Sequence, residues 1–264
     1  MMNSAKKNNV KLVGKLDGPT IIFAHGFGTD QNAWTKVSAA FLADYRVILF
    51  DNVGGGSSDP EAFSPNKYDS LEAYVDDLID ICTDYDVKNA IMVGHSVSGM
   101  ISLLTATKKP DFFSKLILVG ASPRYLNDVD YIGGFEQQDL DALFDTMANN
   151  YFAWVSGFSA AAMANPENPH LAENFAASLN AIRPDIAQSV ARVIFQSDYR
   201  SELPKLDKPT LLIQAKEDIA VPLDVAEYLN KQIAKSKLEV VNAYGHFPHM
   251  SAPDEIINSV KNFI

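Results

Sequence analysis

Between residues 90 and 108 the chain changes its periodicity almost without a break. Ala90-Ile91-Met92-Val93-Gly94 is apolar on both faces, as a strand buried inside a parallel sheet must be. Residues 97–108 already read as a helix, so only His95 and Ser96 are left for the turn. A turn that sharp needs small neighbours, and it leaves the residue at the bend standing above the sheet. Here the neighbours are Gly94, Ser98 and Gly99, and the bend residue is Ser96. The pattern is G-x-S-x-G with Ser98 in its last place and the glycine one residue late. It has two readings: a nucleophile on a strained bend, or a turn serine that caps the next helix.

The rest of the chain repeats the alternation. Residues 10–16, 20–24, 46–50 and 115–119 are short runs rich in Val, Ile and Leu. A helical pattern covers 70–85, where Leu71, Val75, Leu78, Ile79 and Cys82 recur at helical spacing. The alternation resumes with strands at 210–214 and 238–242 and helices at 223–233 and 254–263. Such an order predicts an α/β fold with a mostly parallel sheet flanked by helices. Residues 124–201 hold no clear strand and read as four helices, 136–149, 151–163, 170–179 and 184–195. The expected organisation is a core of residues 1–123 and 202–264 with an inserted four-helix cap at 124–201. A chain of 264 residues with 47% hydrophobic content can form one such unit.

A serine hydroxyl is a weak nucleophile and needs a base within reach, which a carboxylate then orients. The chain order for this architecture is serine, acid, histidine. After the run at 210–214 come Glu217 and Asp218, either of which suits the acid. Asp218 is preferred because Ile219-Ala220-Val221-Pro222 follows it in the usual register. After the last run comes Tyr244-Gly245-His246-Phe247-Pro248-His249, which offers His246 as base and His249 as its alternative. The Val97 N–H, at the start of a helix, is placed to hold an oxyanion. A second donor, the Phe27 N–H, is expected from the loop His25-Gly26-Phe27-Gly28. His25 could be a catalyst, but bracing that loop is the preferred role.

Other chemistries find little support. Asp51-Asn52-Val53-Gly54-Gly55-Gly56-Ser57-Ser58 lacks the lysine of a phosphate loop and reads as a structural turn. The histidines do not cluster with carboxylates at ligand spacing, so neither a metal nor another cofactor is expected. A net charge of −11 disfavours nucleic acid and anionic membranes as partners. The single cysteine, Cys82, reads as buried filler. Residues 1–9 are polar without a signal-like apolar stretch, and no run approaches the ~20 residues of a membrane span, so a cytoplasmic protein is expected.

Several segments together resemble the RsbQ / karrikin–strigolactone receptor family of α/β-hydrolases. They are His25-Gly26-Phe27-Gly28-Thr29-Asp30-Gln31, Gly94-His95-Ser96-Val97-Ser98, Gly133-Gly134-Phe135-Glu136-Gln137, Arg183-Pro184-Asp185-Ile186-Ala187 and Gly245-His246-Phe247-Pro248-His249-Met250-Ser251. The resemblance runs from about residue 10 to the end and includes the cap, through Ser122-Pro123-Arg124-Tyr125-Leu126-Asn127-Asp128. It implies the α/β-hydrolase fold, a triad of Ser96, Asp218 and His246, and Phe27 and Val97 as oxyanion donors. It implies hydrolysis of a small apolar ester or lactone. It also implies a signalling role, by one of two routes. The bacterial type acts with a PAS-domain phosphatase on a stress sigma factor. The plant type binds a butenolide, hydrolyses it slowly and then recruits partner proteins. Residues 122–138 lean to the plant type, while the polar N-terminus and Pro248-His249-Met250-Ser251 lean to the bacterial type, which is preferred. Phe135, Leu143, Phe158, Ile194 and Phe195 are candidate walls of an apolar substrate pocket, with His25 and Ile219 beside them; the same five wall residues could instead be plain inter-helix core.

Overall fold

The computed structural model describes residues 4–264. Along the chain lie helix α1 (Ser4–Lys7), strands β1 (Lys11–Gly14) and β2 (Thr20–Ala24), helix α2 (Thr35–Ser38) and strand β3 (Arg46–Phe50). Helix α3 (Glu72–Asp84), strand β4 (Ala90–His95), helix α4 (Val97–Lys108) and strand β5 (Phe113–Val119) follow. Four helices come next, α5 (Gln137–Asn149), α6 (Tyr151–Met163), α7 (Pro169–Asn180) and α8 (Pro184–Phe195). The chain then forms β6 (Thr210–Glu217), α9 (Leu223–Gln232), β7 (Ser236–Tyr244), α10 (Pro248–Ser251) and α11 (Pro253–Phe263).

The strands make one sheet in the order β1-β3-β2-β4-β5-β6-β7. All neighbours are parallel except β1, which runs antiparallel to β3. Alternate residues of the central strands feed two cores. Ile22, Met92 and Leu118 pack with α3 and α4, while Ile21, Val93 and Ile117 pack with Trp34, Phe41, Ile256 and Val260. The chain leaves β2 for β3 on one side and returns to β4 on the other. The carboxyl ends of β2 and β4 are therefore neighbours at the point where the strand order reverses, the usual place for a ligand crevice.

Two sequence expectations are corrected. The first strand is only Lys11–Gly14, and all four of its residues are exposed. It is an edge strand, so it lacks the two-faced burial of the inner strands. The last two strands run longer than their apolar runs, to Glu217 and Tyr244, because β6–β7 pairing continues past an irregularity between Ala215 and Glu217. The polar N-terminal stretch is helical at Ser4–Lys7 and docked: Lys7 Nζ lies 2.8 Å from Asp77 and 2.9 Å from Asp80, and Ser4 Oγ donates to Asp84 at 2.6 Å.

Helices α5–α8 leave after β5 and return before β6, and the two connections are held side by side. The Tyr199 N–H donates to Pro123 O at 2.8 Å. Arg124 pairs with Asp198 at 2.9 Å, and Arg200 pairs with Asp198 at 2.7 Å and Asp128 at 2.8 Å. The helices lie against the carboxyl end of the sheet: Phe175 of α7 packs at 4.4 Å on Phe247, and the His246 N–H donates to Ala162 O of α6 at 2.7 Å.

Candidate active site

Ser96 occupies the bend between β4 and α4 with φ 55° and ψ −125°. A non-glycine residue there carries backbone strain of roughly 1–3 kcal/mol, sustained only where the surroundings enforce it. Here the Ser96 N–H donates to Val119 O at 2.8 Å and its carbonyl accepts from Gly99 N–H at 2.9 Å. The small neighbours are obligatory. A Cβ on Gly94 would stand 2.5 Å from Ser98 O, and one on Gly99 would stand 2.6 Å from Ala121 Cβ.

Three side chains meet at this bend. Ser96 Oγ and His246 Nε2 are 2.8 Å apart, and His246 Nδ1 and Asp218 Oδ2 are 2.8 Å apart. Asp218 stands on the first residue past β6, its side chain 1% exposed. Its Oδ1 accepts the N–H groups of Ala220 (2.8 Å) and Val221 (3.1 Å), and its Oδ2 accepts Gln214 Nε2 at 3.3 Å. These bonds fix the orientation of the carboxylate towards His246. Glu217 is the last residue of β6 and is exposed, like Lys216 before it. Its carbonyl instead accepts Gly245 N–H at 2.8 Å and so aligns the histidine loop. Gly245 itself has φ +84°, and a Cβ there would collide with the Met163 carbonyl of α6.

His249 stays away from Ser96. It is fully buried, stacked 4.3 Å from Trp34 and tilted 4.4 Å over His95. Burial drives its pKa down to about 3, so it is a neutral packing residue. His25 also holds no contact with the serine. Its Nε2 accepts Asn52 N–H at 2.9 Å, so Nδ1 carries the proton and donates to Gly26 O at 2.8 Å. Burial lowers its pKa. Ser98 Oγ donates to His25 O at 2.5 Å, and Asn52 Nδ2 donates to the same oxygen at 2.9 Å. Ser98, the departure from a glycine in the motif, thus ties the loop after β2 to helix α4. That loop rests directly on the bend, since a Cβ on Gly26 would sit 3.1 Å from Ser96 Cβ. Val97 opens α4, so its N–H has no partner inside the helix.

The candidate wall residues fall into two aromatic groups and a cavity. Phe135 meets Phe195 at 5.6 Å, and Phe195 meets Tyr125 at 5.0 Å. Tyr125 in turn places its hydroxyl 3.4 Å from Ser96 Oγ. On the other side Phe158 packs on Trp154 (4.9 Å) and Phe175 (6.0 Å). Leu143 is half-buried against the core. Ile194 lines a small cavity together with His25, Phe27 and Val97. Ile219 is 50% exposed and is not among the residues lining that cavity.

Sequence reasoning missed Tyr125, Gln214, Asn52, Ser98 and His95 as parts of this site. His95 Nε2 donates to His246 O at 2.7 Å, holding the histidine loop from beneath. Tyr125, His95 and Ser98 had a signal, lying in the stretches 122–128 and 94–98 that carried the family resemblance. The others are ordinary polar residues until the sheet brings them together.

A family model described as "alpha/beta hydrolase fold" matches residues 19–253. The chain is 47% identical over 251 residues to a probable esterase of Oryza sativa subsp. japonica, covering 95% of this chain and 93% of that one. It is 44% identical over 251 residues to "Karrikin insensitive 2 receptor CA" of Petunia hybrida, with the same coverage of 95% and 93%. Among solved structures, a hydrolase from Oleispira antarctica superposes with a TM-score of 0.95 at 34% identity, covering 99% of this chain and 96% of its own. Among the described residues no helix is long and apolar enough to cross a membrane. The chain belongs to the α/β-hydrolase fold family, in the branch that includes the karrikin-insensitive 2 receptors.

Proposed function

We propose that this protein is a cytoplasmic hydrolase of small apolar esters or lactones that works through an acyl-Ser96 intermediate. The observation that carries the reading is the row Ser96–His246–Asp218, with both contacts at 2.8 Å and the serine held at positive φ. His246 Nε2 takes the Ser96 proton as Oγ attacks the carbonyl carbon. The Phe27 and Val97 N–H groups receive the negative charge on the carbonyl oxygen. His246 returns the proton to the departing alkoxide, then activates water to release the acyl group. Asp218 keeps the His246 proton on Nδ1 and stabilises the imidazolium. Residues 1–123 and 202–264 act as the core, and 124–201 as a cap that excludes water.

Ser96→Ala tests this with p-nitrophenyl acetate. A loss on the order of 10⁴-fold or more in kcat is expected. Retention of more than about a tenth of the rate removes Ser96 as nucleophile.

A second, compatible reading is sensing. Its support is that α6 is bonded to the histidine loop, through Ala162 O and the close packing of Gly245 on Met163. A butenolide held on Ser96 that shifts His246 would be felt by the cap, and its output would be binding of a protein partner. If the chain is of the bacterial type, that partner is a PAS-domain phosphatase. A ligand does this only if it favours one cap state over another. Amide hydrogen exchange of α6 and α7 with and without a butenolide, in wild type and Ser96→Ala, measures it. Unchanged protection on acylation of the wild type removes the sensing reading.

A further inference from the structure

The protons at Ser96 leave one hydroxyl without a part in the mechanism. Asp218 accepts the proton on His246 Nδ1, so Nε2 presents a lone pair and takes the Ser96 O–H at 2.8 Å. A serine hydroxyl has a single proton, and that contact uses it. Tyr125 Oη stands 3.4 Å from the same Ser96 Oγ, so the tyrosine is the donor there. Its hydroxyl makes no other hydrogen bond among the described residues. Burial holds the Tyr125 pKa above that of an ordinary phenol, so the proton stays on its oxygen. Tyr125 and Ser96 are both buried, and water competes little for either group. The tyrosine is fixed from the cap side. Its ring meets Phe195 edge-on at 5.0 Å, and its carbonyl accepts Phe135 N–H at 3.1 Å.

A donor aimed at Oγ acts differently on the two halves of an acyl-enzyme reaction. In acylation it begins on a serine hydroxyl, already a good acceptor, and that oxygen gives electron density to the carbonyl carbon. The bond gains nothing on the way to the transition state, so it brings no acceleration. In deacylation it begins on an ester oxygen, which is a poor acceptor. Water adds to the acyl carbon as His246 Nε2 takes its proton. The tetrahedral intermediate then collapses: the C–Oγ bond breaks and its electron pair goes to Oγ. His246 returns the proton to Oγ, while Tyr125 keeps its own and hydrogen-bonds the charge that builds there. A contact that is long at rest tightens as that charge develops, and a bond stronger in the transition state lowers the barrier.

We propose that Tyr125 is a further catalytic residue, which stabilises Ser96 Oγ as the leaving group when the acyl-enzyme is hydrolysed. The inference rests on the acyl-Ser96 reading and deepens it by giving one step to one hydroxyl.

Tyr125→Phe removes the donor and keeps the ring on Phe195. The burst of nitrophenol from p-nitrophenyl acetate gives the acylation rate. Decay of the acetyl-enzyme, isolated by rapid gel filtration and followed by mass spectrometry, gives the deacylation rate. Deacylation is expected to slow about tenfold, the worth of one hydrogen bond to a charged atom, with acylation and kcat/KM within about twofold of wild type. A merely structural role would instead lower both steps and kcat/KM together. Deacylation slowed less than about threefold, or acylation slowed as much as deacylation, overturns the proposal. Ser96→Ala run alongside separates the two failures. If it turns over the ester at the wild-type rate, the acyl-Ser96 reading falls and the role of Tyr125 falls with it. If it is inactive, the Tyr125→Phe rates judge Tyr125 alone.

Discussion

Two imidazoles buried behind the site make the fold sensitive to mild acid. His95 and His249 are each fully enclosed, and burial holds both pKa values below the ordinary 6.5, to about 3 for His249. In the unfolded chain they titrate normally. As pH falls the unfolded state therefore binds protons that the folded state refuses. Stability from this source is complete above the unfolded pKa and is lost as pH falls through 6.5 towards the folded values. One pH unit below the unfolded pKa, each group has cost about 1.4 kcal/mol, or about 3 kcal/mol for the pair. His25 shifts in the same direction and adds to the loss. Urea unfolding followed by circular dichroism at about pH 7.5 and about pH 5.5 reads this difference directly. The carboxylates held low, such as Asp198 and Asp185, begin from 3.8 and contribute only at lower pH. His249→Leu should remove about 1.4 kcal/mol of the pH dependence whatever it does to stability at neutral pH. Equal stability at the two pH values, or an undiminished difference in His249→Leu, refutes the reasoning.

Asp218→Asn should cut kcat by about 10⁴-fold, because an amide no longer holds the His246 proton on Nδ1, while Glu217→Gln should change it less than threefold or so; side-by-side steady-state kinetics with p-nitrophenyl acetate decide it. Gly245→Ala forces a side chain into positive φ and onto the Met163 carbonyl. It should destabilise the protein by on the order of 2 kcal/mol and lower kcat by about 10²-fold as His246 shifts, measured by thermal unfolding and kinetics on the same sample.

What could be read from the chain alone was what short stretches encode locally. The runs that became β2, β3 and β4 are apolar on both faces, and that pattern already demands a covered parallel sheet. Gly94 and Gly99 around Ser96 announced a bend too tight for larger residues, and a Cβ at either site does collide. The order of Ser96, Asp218 and His246, each just beyond a strand's carboxyl end, named three side chains that the fold brings together.

The tertiary structure decided the choices between near neighbours. Glu217 and Asp218 are adjacent carboxylates of similar chemistry. They are separated because pairing with β7 carries β6 to residue 217, which is exposed, while Asp218 just past the strand is held inward by the Ala220 and Val221 N–H groups. His246 and His249 differ only in that α10 starts between them and carries the second into the space between Trp34 and His95. Tyr125 reaches Ser96 and Ser98 reaches His25 across separations of 29 and 73 residues. No local pattern marks such pairs, because their partners are set by sheet register and helix packing.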